Sequence, residues 1–124
     1  MPAIQPNDMK PHLRGALAFP ITPYRADGSV DLDGVRANAD FLAASRVASI
    51  VAPSGTGEFF SLTPDESNAV LKATVEASAG RKPIIAAAGM GPAVAAEQAA
   101  FAEQAGASAI MVVPPYYGKP DPVA

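Results

Sequence analysis

The chain has 124 residues, a formal net charge of −3 at pH 7, and 49% hydrophobic against 17% charged residues. That is the size and composition of one soluble globular domain rather than a disordered chain. The absence of any basic run argues against nucleic acid and anionic membrane as partners. The absence of cysteine removes disulfides, thiolate metal sites and a cysteine nucleophile.

Residues 1–13 read as a polar, proline-containing leader without the apolar centre of a signal peptide. Its His12, the only histidine in the sequence, is expected to be a solvated surface residue. No apolar run approaches the roughly 18 to 20 residues needed to cross a bilayer. The expected location is therefore cytoplasmic.

Residues 16–22, Ala-Leu-Ala-Phe-Pro-Ile-Thr, read as a buried strand closed by Pro23. Asp27-Gly28 signals a turn. Asp31 is placed to cap a helix over 32–45, with Leu32, Val35, Ala39 and Leu42 on one face. Residues 47–52 form a second apolar run, followed by the small-residue loop Pro53-Ser54-Gly55-Thr56-Gly57. Thr63, Pro64 and Glu66 spell an N-cap, an N1 proline and a capping box. They predict a helix to about Ser78, with Gly80 beyond its end as the stop. Residues 83–88 read as a third strand and 92–105 as an alanine-rich third helix, with Val94, Phe101 and Ala105 on its inner side. Gly106 ends that helix. Residues 108–113 form a fourth strand, closed by Pro114-Pro115.

The order β-α-β-α-β-α-β, with strands that are continuously apolar, predicts a parallel sheet covered by helices. A doubly wound open sheet and a (β/α)₈ TIM barrel both fit. A complete barrel takes about 250 residues, so these would be its first four strands. Residues 14–124 then form a partial barrel domain, cut before the second half. Asp121-Pro122-Val123-Ala124 offers no terminating structure.

In parallel α/β folds, sites lie at the carboxyl ends of the strands. Four patches fall there: Thr22-Pro23-Tyr24, Ser54 to Glu58, Gly89-Met90-Gly91, and Pro114 to Lys119. The second is the richest. Its glycines let the backbone approach a ligand, its N–H groups can face an anion, and Ser54 and Thr56 add hydroxyls. The same glycines equally suit a plain strand-to-helix turn. The spacing is neither a dinucleotide fingerprint nor a P-loop. Glu58 is a candidate acid or base, or a partner of backbone donors. Tyr116 and Tyr117 point to opposite sides of an extended stretch, so one can enter a site and relay protons while the other packs. Lys10, Lys72, Lys82 and Lys119 all lie outside barrel strands, where burial would lower a lysine pKa for imine chemistry. No cluster has metal-ligand spacing, and no cofactor is implied.

These motifs carry a resemblance. Phe19-Pro20-Ile21-Thr22-Pro23-Tyr24, Gly55-Thr56-Gly57-Glu58 with Ser61-Leu62-Thr63-Pro64-Asp65-Glu66, and Pro115-Tyr116-Tyr117-Gly118-Lys119-Pro120 resemble the dihydrodipicolinate synthase / N-acetylneuraminate lyase family in the family's own order. The likeness implies a TIM barrel and a Schiff-base lyase of class I aldolase or dehydratase type, acting on a 2-keto acid such as pyruvate or a sugar-derived keto acid. It implies that Thr56, with Ser54, Gly55 and Gly57, lies at the carboxylate site, and that Tyr117 relays protons and is lent to a neighbouring subunit. It also implies a homodimer or homotetramer at full length. The imine-forming lysine belongs on a sixth strand and a second tyrosine on a fifth, so this chain alone is expected to be inactive. The synthases usually carry a hydroxyl residue where Gly55 stands. The form Gly55-Thr56-Gly57-Glu58-Phe59-Phe60-Ser61-Leu62 is more similar to 5-dehydro-4-deoxyglucarate dehydratases, whereas Tyr116-Tyr117-Gly118-Lys119 is more similar to 4-hydroxy-tetrahydrodipicolinate synthases. A non-catalytic half-barrel is the other reading. A flavodoxin-type open sheet would need a phosphate or flavin loop after the first strand, and Thr22-Pro23-Tyr24-Arg25 makes a poor one.

Overall fold

A computed structural model describes residues 6–114. Its elements follow the expected alternation: strand β1 (Leu17–Ala18), helix α1 (Leu32–Ala44), β2 (Ser49–Val51), α2 (Pro64–Ser78), β3 (Ile84–Ala88), α3 (Pro92–Ala105) and β4 (Ala109–Val112). A 3₁₀ helix at Pro6–Leu13 precedes them, and a 3₁₀ turn at Phe59–Ser61 leads into α2. The strands form one sheet in the order β1-β2-β3-β4, every pair parallel. Sequential parallel strands joined by helices are the repeating unit of a (β/α)₈ barrel, and four of them make half of one.

Local chemistry explains the boundaries. Asp31 sits in extended conformation before α1, and its carboxylate accepts from the N–H groups of Asp33 and Gly34. At α2 the capping box is complete. Thr63 Oγ1 accepts the Glu66 N–H at 3.2 Å, and the Glu66 carboxylate accepts the Thr63 N–H at 2.8 Å. Helix α2 ends at Ser78, as the sequence indicates, but Ala79 rather than Gly80 takes the first left-handed position, with φ 50°. Gly106 closes α3 with φ 90°.

Alternation along the strands sorts the core onto two faces. Ile50, Ala52, Ile84 and Ala86 pack with Ala43 of α1, Leu71 of α2 and Ala102 of α3. Ala102 was not among the expected inward residues of α3; an alanine stripe gives little contrast between faces. Helices α1 and α2 pack on each other through Val35, Val70 and Ala73. Ile50 is completely buried, a burial that contributes about 2 kcal/mol. On the opposite face Val51 and Ile85 pack with Leu17, Ala109 and Met111 beneath Met9 of the 3₁₀ segment.

Two expectations are corrected, a solvated His12 and a strand buried over 16–22. The segment before β1 packs on the sheet. Met9 is only 5% exposed, His12 is half-buried, and the His12 carbonyl accepts the Ser49 hydroxyl at 2.8 Å. The first strand is not buried over 16–22. Its ladder covers two residues, and Phe19 and Ile21 are 41% and 62% exposed. β1 is an edge strand with one partner, and Pro20 and Pro23 have no N–H to extend a ladder. β4 is the other edge, with Ile110 and Val112 37% and 71% exposed.

A candidate carboxylate site at the strand ends

The loop after β2 is built by a short set of backbone bonds. The Ala52–Pro53 peptide is cis. The Phe59 N–H donates to the Ser54 carbonyl at 3.0 Å and the Glu58 N–H to the Gly55 carbonyl at 3.1 Å. Ser54 is buried, and its Oγ accepts the Gly55 N–H at 2.7 Å. Its oxygen therefore takes part in the turn, while its O–H is still a donor. Gly55 and Thr56 are exposed, and Gly57 is buried. Among the described residues the Thr56 hydroxyl and the N–H groups of Thr56 and Gly57 meet no protein partner. Three donors within two residues suit a carboxylate, which accepts several charge-assisted hydrogen bonds at once.

Neighbouring strand ends press on this loop. The Thr22 hydroxyl at the end of the first apolar run donates to the Gly57 carbonyl at 2.6 Å. A Cβ on Gly57 would lie 3.1 Å from the Pro20 carbonyl oxygen and from Thr22 Oγ1, so only glycine fits without displacement. Glu58 follows with φ 57° and ψ 41°, a left-handed conformation that costs a non-glycine residue about 1–3 kcal/mol. Phe59 is buried, and its ring meets that of Phe60 edge to face at 5.3 Å. The end of β3 closes on the same aromatic. A Cβ on Gly89 would lie 3.4 Å from Phe59 and 3.0 Å from the Val113 carbonyl oxygen. The Gly89 N–H is held by Gln98 Oε1 of α3 at 2.8 Å, leaving Met90 exposed with φ 69°.

Tyr24 extends the first strand end toward the loop. Desolvation raises its pKa above the usual phenol value, and the carboxylates of Glu58 and Glu66 add to the shift. The phenol stays neutral and able to donate at pH 7. The cavity between Thr22, Val35, Ala52 and Thr74 holds no more than about one water, too little space for a keto acid.

The structure thus brings three of the four patches singled out in the sequence to one end of the sheet. Tyr116, Tyr117 and Lys119 lie outside the described residues. Lys72 is exposed on α2, 3.9 Å from Glu76, and Lys82 precedes β3. Neither of these points to imine chemistry. Among the described residues no group of acidic and histidine side chains could hold a metal, and no helix is long and apolar enough to cross a membrane. The sequence reading missed Thr22 as a partner of the loop and Gln98 as a clamp. The only signal for either was a polar residue next to a strand end or on the first turns of a helix.

Parallel strands joined by helices, with the glycine-rich loop Gly55-Thr56-Gly57-Glu58 at their carboxyl ends, define half of a β/α barrel. The chain belongs to the dihydrodipicolinate synthetase family, whose model matches residues 12–123. It is 49% identical over 102 residues to a protein of Bradyrhizobium diazoefficiens named probable 5-dehydro-4-deoxyglucarate dehydratase, covering 82% of this chain and 32% of that protein. A protein of the same name from Methylobacterium radiotolerans is 51% identical, with 82% and 34% covered. The crystal structure of dihydrodipicolinate synthase from Bacillus clausii superposes with a TM-score of 0.79 at 31% identity, over 83% of this chain and 36% of that one. The chain therefore spans about a third of the length of the relatives it matches.

Proposed function

We propose that this chain supplies the carboxylate-binding part of a Schiff-base lyase of 2-keto acids, of the dehydratase type, with 5-dehydro-4-deoxyglucarate as substrate. The observation that carries the proposal is the loop Gly55-Thr56-Gly57-Glu58, with unpartnered donors on Thr56 and Gly57. Two features support the dehydratase over the synthase. Relatives 49% and 51% identical bear the dehydratase name, and Gly55 stands where the synthases usually carry a hydroxyl.

In a molecule of that name the C5 ketone adjoins the C6 carboxylate, so it is a 2-keto acid read from that end. The Thr56 hydroxyl and the Thr56 and Gly57 N–H groups hold this carboxylate, and Gly55, without a side chain, leaves room for it. The ketone is thereby presented to a lysine on a later strand of the longer protein, where an imine forms with loss of water. The imine acidifies the C4–H bond. Loss of that proton and of hydroxide from C3, protonated as it leaves, completes a dehydration. Tyr117 relays protons, in a homodimer or homotetramer whose neighbour shares it.

The test is to incubate the natural protein carrying this sequence with 5-dehydro-4-deoxyglucarate or pyruvate, reduce with borohydride, and measure intact mass. A reduced adduct with either, and consumption of the sugar acid, is the expected result. An adduct with pyruvate but no consumption of the sugar acid moves the assignment to the synthase, the reading favoured by Tyr116-Tyr117-Gly118-Lys119. No adduct with either acid refutes imine chemistry and leaves a non-catalytic half-barrel.

A further inference from the structure

We infer that Thr22 is a positioning residue for the carboxylate loop, acting through the Gly57 carbonyl. The inference rests on the carboxylate reading above. Thr22 is buried, and its hydroxyl reaches across 35 residues of sequence to the Gly57 oxygen at 2.6 Å, at the short end for an O–H···O bond.

A trans peptide is planar, with its C=O and N–H pointing in opposite directions. The peptide joining Gly57 to Glu58 is therefore held at both ends. Thr22 binds its oxygen, and the Gly55 carbonyl accepts its N–H at 3.1 Å. The next peptide back carries the Gly57 N–H, one of the open donors. Only the torsions at the Gly57 Cα separate the two planes. Fixing the first plane leaves those two torsions as the freedom of the second. Close packing removes the remaining freedom, since the Pro20 carbonyl and Thr22 Oγ1 occupy the space where a Gly57 side chain would be. The segment that follows β1 thereby helps to aim the donors that follow β2. Without the hydroxyl, the Gly57 carbonyl loses its buried partner and the peptide can rotate to find another.

The consequence is a binding effect rather than a chemical one. The carboxylate is held alike in the ground state and in the transition state, so loosening its donors raises KM and leaves kcat nearly unchanged.

The test uses the natural protein and measures the pyruvate concentration that half-saturates borohydride trapping, together with steady-state turnover and thermal melting. Thr22→Val, which keeps the shape and removes the donor, is expected to raise half-saturation on the order of tenfold, the scale of one hydrogen bond. Thr22→Ser, which restores the donor, is expected to return it to within about twofold of wild type. Thr22→Cys fills the space with a weak donor and is expected to fall between them, which keeps the series readable if the valine variant does not fold. Trapping by wild type with unchanged half-saturation in Thr22→Val or Thr22→Cys overturns the positioning role alone. An equal fall in turnover for all three, with melting lowered and no rescue by serine, also overturns it. If wild type traps only 5-dehydro-4-deoxyglucarate, the same series is read with that acid, and trapping of neither acid by wild type overturns the functional reading and this inference with it.

Discussion

Gly57 and Ala79 show two opposite uses of the backbone by single residues. A methyl on Gly57 would meet the Pro20 carbonyl oxygen and Thr22 Oγ1 at 3.1 Å. Neither can yield without moving the end of β1 or breaking the Thr22 bond. Gly57→Ala is expected to destabilise by about 1–3 kcal/mol and to weaken keto-acid binding in the longer protein. Urea unfolding and pyruvate trapping measure the two effects separately. At Ala79 the strain is already present, since the residue holds φ 50° and ψ 39° at the end of α2. Ala79→Gly removes a left-handed penalty of about 1 kcal/mol and adds some unfolded-state entropy. A net gain of about 0.5 kcal/mol is expected in the same unfolding measurement, and a loss would show that Ala79 packs usefully. These positions differ in how far sequence could reveal them. Gly57 lies in a run of small residues that announces a special loop, so Thr56 and its neighbours were legible as a candidate site. The bond from the Gly55 N–H to the Ser54 oxygen was not legible, because composition does not say which way a side chain turns. Thr22 was legible as a strand-end residue, but its partner lies 35 positions away, beyond any local pattern.

Among the elements, α2 depends most visibly on one carboxylate. Glu66 accepts from both the Thr63 N–H and the Thr63 hydroxyl, and these bonds hold its pKa below the ordinary carboxylate value. A carboxylate with a lowered folded-state pKa stabilises the fold fully above its unfolded pKa. That contribution fades as the pH falls through the lowered value. Glu66→Gln keeps a capping hydrogen bond and removes the charge. Its stability deficit against the parent is therefore expected to be greatest near neutral pH and to shrink as the solution is acidified below the usual glutamate pKa. Urea midpoints of both proteins across that range check the sign; a deficit that does not change with pH would refute it. Thr63→Ala, which removes the other half of the box, is expected to cost about 1 kcal/mol. Helix boundaries were legible to the residue at Pro64, Pro92 and Ala105 and closely at Ser78, because caps, N1 prolines and terminal glycines are local chemistry. Strands came out shorter than their apolar runs, as with β1, because ladder length is set by a partner strand and not by the run itself.

Across the whole molecule, the sheet of the described residues ends in two edge strands, β1 and β4. A parallel sheet is ordinarily covered on both faces, yet Ile110 and Val112 of β4 stand exposed. They lie opposite Ala86 and Ala88 of β3, on the face where Ala86 meets the helices. An apolar edge of this kind is a template for pairing. The 124-residue polypeptide is therefore expected to associate in a concentration-dependent way in sedimentation velocity, and Val112→Lys is expected to reduce that association. The same substitution should act in the opposite sense in a protein of the relatives' length, of which this chain matches about a third. There a further strand and helix would cover β4, and a lysine at position 112 would bury an unpaired charge. Thermal and urea unfolding are then expected to show a loss on the order of 3 kcal/mol. A reversal of sign between the two lengths would place the join between barrel halves at β4. A monodisperse 124-residue chain, or a longer protein indifferent to Val112→Lys, would show that Val112 remains at the surface in both and that the join lies elsewhere.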